Sequence, residues 1–231
     1  MGNIVIIVSS NSEWKVLLDT VKPDELEESI YGNWFIKASL ENTGKHQVIW
    51  FHGSWGKIAS AGSTQYAIDK WHPELIINIG SCGGFEGFVE NDEIVLVEET
   101  IVYDLIDRIG ESGKSIIDYR TTMAVDWVTN EQIGHCKRVK IATADQDLDP
   151  ERLVELNSKY GAVVGDWESG AIAWIAERNK TRLVILRGVS DVVGENGNIA
   201  YNEDETLFFN GVKRVMEKLI LLVNDLVRTI S

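Results

Sequence analysis

Apolar residues are spaced along this chain in two distinct ways. Strand-like runs rich in Val and Ile, several of them continuously apolar, occur at Asn3–Val8, Gln47–Phe51, Leu75–Ile79, Glu93–Val97, Val139–Thr143, Ala162–Val164 and Leu183–Leu186. Strands covered on both faces read as continuous apolar runs rather than as alternation. Helical spacing fills the gaps. Ser12–Thr20 follows the first run, and Ile58–Lys70 stops before His72-Pro73, because the residue before a proline is pushed out of the helical region. Ser169–Lys180 is a third helix. The last, from about Glu203 to Ile230, places Phe208, Val212, Val215, Leu219, Leu222, Leu226 and Ile230 three or four residues apart, which makes one apolar stripe.

Strands alternating with helices predict an α/β fold, a single domain over residues 1–231 with a mixed, mostly parallel central sheet flanked by helices. The polar stretch Tyr103–Thr129, with Gly110 and Gly113, has little periodicity and reads as a long excursion near the site or a subunit interface.

Composition narrows the function classes. The 231 residues are 44% hydrophobic and 25% charged, as expected of a chain with a real core. A net charge of −14 and no cluster of Lys and Arg argue against nucleic acid, whose phosphates need such clusters. The same charge would be repelled by an anionic membrane surface. Two cysteines, Cys82 and Cys136, form neither a disulfide framework nor a CxxC metal pattern, and fit a reducing, cytoplasmic setting. Residues 1–10 lack the basic and apolar regions of a signal peptide, and no run has the roughly 18 apolar residues of a membrane span.

Ligands in α/β sheets bind beyond the carboxyl ends of strands. Five such ends deliver chemistry here: Ser9–Glu13, Gly80–Gly84, Ala144–Asp147, Gly165–Ser169 and Arg187–Asp191. Gly80–Gly84, with Gly83 at its centre, removes side chains where a ligand could approach the backbone, although it lacks the GxGxxG spacing. Gly53–Lys57 lacks the phosphate-loop spacing and reads as a plain turn. Glu168, beside Trp167, either caps a helix or accepts from two sugar hydroxyls. Asp191 is either a helix cap or a general acid, which would need its pKa raised from about 3.9 by burial or a second carboxylate. Glu13 is a helix-end carboxylate or that second acid. Arg187 could anchor a carboxylate or an anion. His46, His52, His72 and His135 show no metal-ligand spacing, and Cys82 reads as a small buried residue.

These residues carry a resemblance. Leu75–Gly84 (LIINIGSCGG), Gly161–Ile175 (GAVVGDWESGAIAWI) and Val184–Val192 (VILRGVSDV) resemble, in order, segments of the nucleoside phosphorylase and nucleosidase superfamily. The chain is most similar to its 5′-methylthioadenosine/S-adenosylhomocysteine nucleosidase branch. The resemblance implies N-glycosidic cleavage of a purine nucleoside without a cofactor, by a homodimer with some site residues borrowed across the interface. It implies that Asp191 protonates N7 of the purine and Ser190 orients it. Glu168 would hold the ribose hydroxyls, Trp167 would pack on the sugar, and Ser81 and Glu13 would lie at the attacking water. Arg187 matches the arginine of the same motif, and Tyr103-Asp104 resembles a His-Asp pair near the dimer interface.

Two departures matter. The arginines that bind phosphate in the phosphorylases are missing: SSNSEW follows strand one and Asn78 precedes Ile79-Gly80-Ser81, which favours water over phosphate. Gln146 and Asp147 stand where the nucleosidases carry an adenine-stacking phenylalanine, which leaves the base and the 5′ group open. A phosphorylase and a nucleoside-binding protein without turnover are the alternatives.

Overall fold

The computed structural model describes residues 2–37, 46–106, 114–194, 197–198 and 205–230. In chain order the elements are β1 (Gly2–Val8), α1 (Asn11–Val21), β2 (Glu27–Glu28), β3 (Asn33–Ile36), β4 (His46–His52), α2 (Lys57–Trp71), β5 (Leu75–Phe85) and β6 (Ile94–Val102). Then come α3 (Lys114–Asp118), β7 (Arg120–Thr122), α4 (Asn130–Ile133), β8 (Lys137–Thr143), α5 (Leu153–Tyr160), β9 (Ala162–Asp166), α6 (Ser169–Arg178), β10 (Arg182–Gly194), β11 (Gly197–Asn198) and α7 (Glu205–Thr229).

The strands form one sheet in the order β11-β10-β6-β8-β9-β5-β1-β4-β3-β2, with β7 on β6. The longer ladders are parallel: β4 on β1, β1 and β10 on β5, and β6 and β9 on β8. Because β10 also pairs with β5, the strands β5, β10, β6, β8 and β9 close into a ring. The expected α/β class is therefore present, with the sheet curled rather than open. The unbroken apolar runs explain the central strands: Ile4 to Val8, Leu75 to Ile77 and Val184 to Leu186 are all buried.

Helix α7 seals one face of β10 and β5. Of its expected stripe, Val212, Val215, Leu219 and Leu226 are buried, joined by Met216, Ile220, Val223 and Val227. Its buried face is thus wider than the sequence spacing implied, as packing across a curved sheet requires. The helix approaches β10 so closely that a Cβ on Gly188 would lie 2.3 Å from Val215 Cβ, so glycine is needed there.

The stretch expected to be an excursion, Tyr103–Thr129, contains α3 and β7, and β7 pairs with β6 at Glu99–Ile101. Its Gly110 and Gly113 lie outside the described residues, as do the first residues of the expected C-terminal helix. Among the described residues no helix is long and apolar enough to cross a membrane.

Candidate active site

Both glycine- and acid-bearing segments expected as loops are strand. β5 runs on through Gly80–Gly84 to Phe85, and β10 runs on through Arg187–Asp191 to Gly194, the two pairing side by side. At Gly80 the close approach is made by protein: an added Cβ would lie 3.0 Å from Glu13 Oε1. The glycine clears room for a carboxylate of α1.

Glu13 is held there by its own helix. Ser10 caps α1, its Oγ accepting from the Glu13 N–H at 3.2 Å, and the Glu13 carboxylate reaches back to the Ser10 N–H at 3.3 Å. The same carboxylate accepts from the Ser81 N–H at 2.6 Å and the Ser81 hydroxyl at 2.7 Å. A residue that would ordinarily be a solvated cap is thereby drawn over the sheet, 5% exposed.

At the end of β9, Asp166 and Glu168 diverge. Asp166 is buried and accepts from Thr143 Oγ1 at 2.7 Å, Ser169 Oγ at 2.6 Å and Arg187 Nη2 at 2.9 Å. Glu168 turns toward the opposite loop, where its Oε1 accepts from the Gly56 N–H at 3.0 Å. Protein surrounds most of the Glu168 carboxyl. That burial, with the nearby charges of Asp166 and Glu13, pushes its pKa up to about 8, against the opposing pull of the Gly56 amide and Arg187.

A β-bulge aims the last acid. The β10–β5 register pairs Val189 with Cys82 and then Asp191 with Gly83, leaving Ser190 as the extra residue. Bulges re-aim side chains, and here both Ser190 and Asp191 line the cavity. The Ser190 hydroxyl lies 2.6 Å from Asp191 Oδ1 and 3.2 Å from the Cys82 carbonyl, so its single proton serves one acceptor at a time.

These groups face a cavity of about 640 Å³, within the size range of small-molecule sites. Glu13, Asp147, Asp166, Glu168 and Asp191 all line it, and no Lys or Arg does so among the described residues. Its walls are aromatic. Trp55 and Trp167 sit 5.2 Å apart, and Phe208 and Phe209 of α7 line it as well.

A sequence profile of the Phosphorylase superfamily matches residues 3–228. The chain belongs to that superfamily. Among phosphorylase-superfamily proteins it is similar to the 5′-methylthioadenosine/S-adenosylhomocysteine nucleosidase of Bacillus cereus (strain G9842), 26% identical over 94% of this chain and 99% of that one. Its fold is that of Streptococcus pyogenes S-adenosylhomocysteine nucleosidase in complex with 5-methylthiotubericidin (TM-score 0.79, 16% identical, 100% and 98% of the two chains). It is also that of a futalosine hydrolase mutant of Helicobacter pylori (TM-score 0.77, 17% identical, 96% and 99%).

Of the residues expected at the site of this superfamily member, Glu13, Ser81, Gly83, Gln146, Trp167, Glu168, Ser190 and Asp191 all line the one cavity. Arg187 does not. It is 1% exposed beneath the floor, with Nε and Nη2 on Asp166, Nη2 also on Asn78 Oδ1 and Nη1 on the Leu186 carbonyl. Of the two readings, Arg187 anchors a carboxylate, that of Asp166, and the expected contact with substrate is corrected, because every guanidinium nitrogen already has a protein acceptor. The Gly53–Lys57 segment is more than the plain turn expected of it, since Gly56 reaches Glu168 and Trp55 lines the cavity. An aromatic between two glycines was the available signal. The sequence spacing puts Phe208 in the core stripe and gives no sign of Phe209, because spacing alone cannot show that a helix begins over a cavity. Cys82 is buried at the cavity edge, and that burial raises its thiol pKa, consistent with a packing role.

Proposed function

We propose that this protein hydrolyses the N-glycosidic bond of a purine nucleoside, with 5′-methylthioadenosine or S-adenosylhomocysteine as substrate. One observation carries the reading: the carboxyls of Glu13, Glu168 and Asp191 share a cavity that no described cation lines. A phosphate dianion entering it would meet five acids and no guanidinium or ammonium, whereas water meets only hydrogen-bond acceptors and donors. The named relatives support the substrate class.

In this reading Asp191 is the general acid. It delivers its proton to N7, and the glycosidic bonding pair then leaves with a neutral base instead of an anion. Ser190 keeps the acid oriented. Glu168, once ionised, accepts from the two ribose hydroxyls, and those hydrogen bonds favour its charged form. The sugar develops oxocarbenium character, which the nearby carboxylates stabilise. Glu13 takes a proton from a water held beside Ser81 as that water adds to the anomeric carbon. The products are the free base and the free sugar.

We further propose a cytoplasmic homodimer. Both cysteines are free thiols. Ile58 and Ile106, 89% and 68% exposed, lie close in sequence to Lys57 and Asp104 of one ion pair and offer a second copy apolar contacts. Sedimentation of the pure protein tests the assembly. The reaction is tested by incubating the protein with methylthioadenosine, S-adenosylhomocysteine, adenosine, inosine and guanosine, with and without phosphate. Release of base at equal rates in both conditions is expected, and strict phosphate dependence would reject hydrolysis.

A further inference from the structure

One cation ties together the carboxyl ends of β4, β6 and β8. Lys57, the first residue of α2, directs its Nζ to Asp104 and stands 3.7 Å from Asp145 Oδ2. Its backbone N–H donates to Asp145 Oδ1 at 2.7 Å, and the Asp145 N–H donates to Asp104 Oδ2 at 3.0 Å. The N-cap of α2 is Gly56, which offers no side chain, so Asp145 from another loop satisfies an amide of the first turn. The Lys57 and Asp104 side chains are 19% and 20% exposed, which limits solvent screening of the pair.

Each latch residue has a neighbour at the site. Gly56 precedes Lys57 and holds Glu168 Oε1 at 3.0 Å. Gln146 follows Asp145, lines the cavity and lies 3.4 Å from the hydroxyl of Tyr103, the residue before Asp104. Three loops far apart in sequence are thereby tied together at the Glu168 end of the cavity.

We propose that the Lys57–Asp104–Asp145 cluster is a latch that holds the Gly56 amide on Glu168 and Gln146 in the cavity wall, making Lys57 and Asp104 positioning residues for substrate binding. The proposal rests on Glu168 as the sugar-binding carboxylate. Charged groups facing Glu168 are Asp166 on β9, Glu13 on α1 and Arg187 on β10. Against those two acids, the Gly56 amide favours the ionised carboxyl. Releasing the latch removes that amide, so Glu168 should ionise at higher pH. Without the lysine, Asp104 and Asp145 also repel each other and push their loops apart.

The test compares Lys57→Met, Lys57→Arg and Asp104→Asn, each checked for an unchanged Tm. Two readouts are needed: amide exchange at Gly56 by NMR, and the pH dependence of KM and kcat. In Lys57→Met and Asp104→Asn, Gly56 exchange should quicken and KM should rise about tenfold with kcat within about twofold. The acid limb of kcat/KM should move up by about half a unit to one unit. Lys57→Arg should restore all three. Unchanged Gly56 exchange, or an unchanged KM and pH limb, overturns the latch. A protein that neither binds nor cleaves any purine nucleoside defeats the reading of the site instead, and Gly56 exchange still reads the latch.

Discussion

Ser81 meets Glu13 twice, its N–H and its hydroxyl both donating to Oε1 at 2.6 and 2.7 Å. One oxygen of the carboxylate is therefore fixed by β5, and the other faces the Ser10 amide only weakly, at 3.3 Å. In the proposed mechanism that second oxygen accepts the proton from water. Glu13→Gln should keep the Ser10 Oγ cap and, through its amide oxygen, the Ser81 contacts, losing only the weak Ser10 N–H contact, yet lower kcat by about a hundred- to ten-thousandfold. Steady-state rates together with nucleoside binding by calorimetry check this. A variant that turns over normally removes Glu13 from the chemistry.

Glu168 has its pKa raised to about 8, so the free protein holds it neutral at lower pH and ionises it as pH rises. If ionised Glu168 binds the ribose, kcat/KM should climb between pH 6 and 9 with a midpoint near that value. Glu168→Gln should flatten this limb and raise KM.

The same group bears on stability. A raised carboxyl pKa means that the folded state holds a proton the unfolded state has lost, so Glu168 opposes folding progressively between its ordinary value of 4.5 and about 8. The Tm advantage of Glu168→Gln over the parent should be small at pH 5 and full above pH 8. Thermal melts across that range measure it, and an advantage that shrinks with rising pH would contradict the burial argument.

Arg187 should behave as a structural residue. Its removal leaves Asp166 charged, buried and short of its main counter-charge, and such losses cost about 3–5 kcal/mol. Arg187→Met should lower the urea midpoint strongly. A variant of wild-type stability with a specific loss of binding would return Arg187 to the ligand.

Trp167 should contribute by contact area. Trp167→Ala is expected to weaken nucleoside binding by about 2 kcal/mol, roughly thirtyfold, with kcat less affected. Quenching of tryptophan emission on binding, reduced in the variant, is the companion measurement.

Much of this was legible in the sequence, and the reasons are particular. The buried runs at Ile4–Val8, Leu75–Ile77 and Leu183–Leu186 are apolar on both faces, so the central strands were plain. Most of the polar residues that follow them line one cavity, as ligand sites in this class gather at the carboxyl ends of strands. Spacing could not show that β5 and β10 continue through their glycines, since only the close passage of Glu13 and Val215 requires those glycines in strand. It could not separate Arg187 from the ligand either. An arginine beside a cavity and one beneath its floor have the same neighbours in sequence, and only the position of Asp166 distinguishes them. The short strands β2 and β3 carry no run long enough to register, with Trp34 and Phe35 adjacent rather than alternating.

The most direct measurement is the single-turnover rate of purine release by Asp191→Asn beside the parent, with Tm and nucleoside affinity recorded for both. Loss of about a hundred- to ten-thousandfold in rate with fold and binding retained is the expected result, because only the proton for the leaving base has been taken away. A near-parental rate would contradict the assignment of Asp191 as the acid and, with it, the proposed route of cleavage.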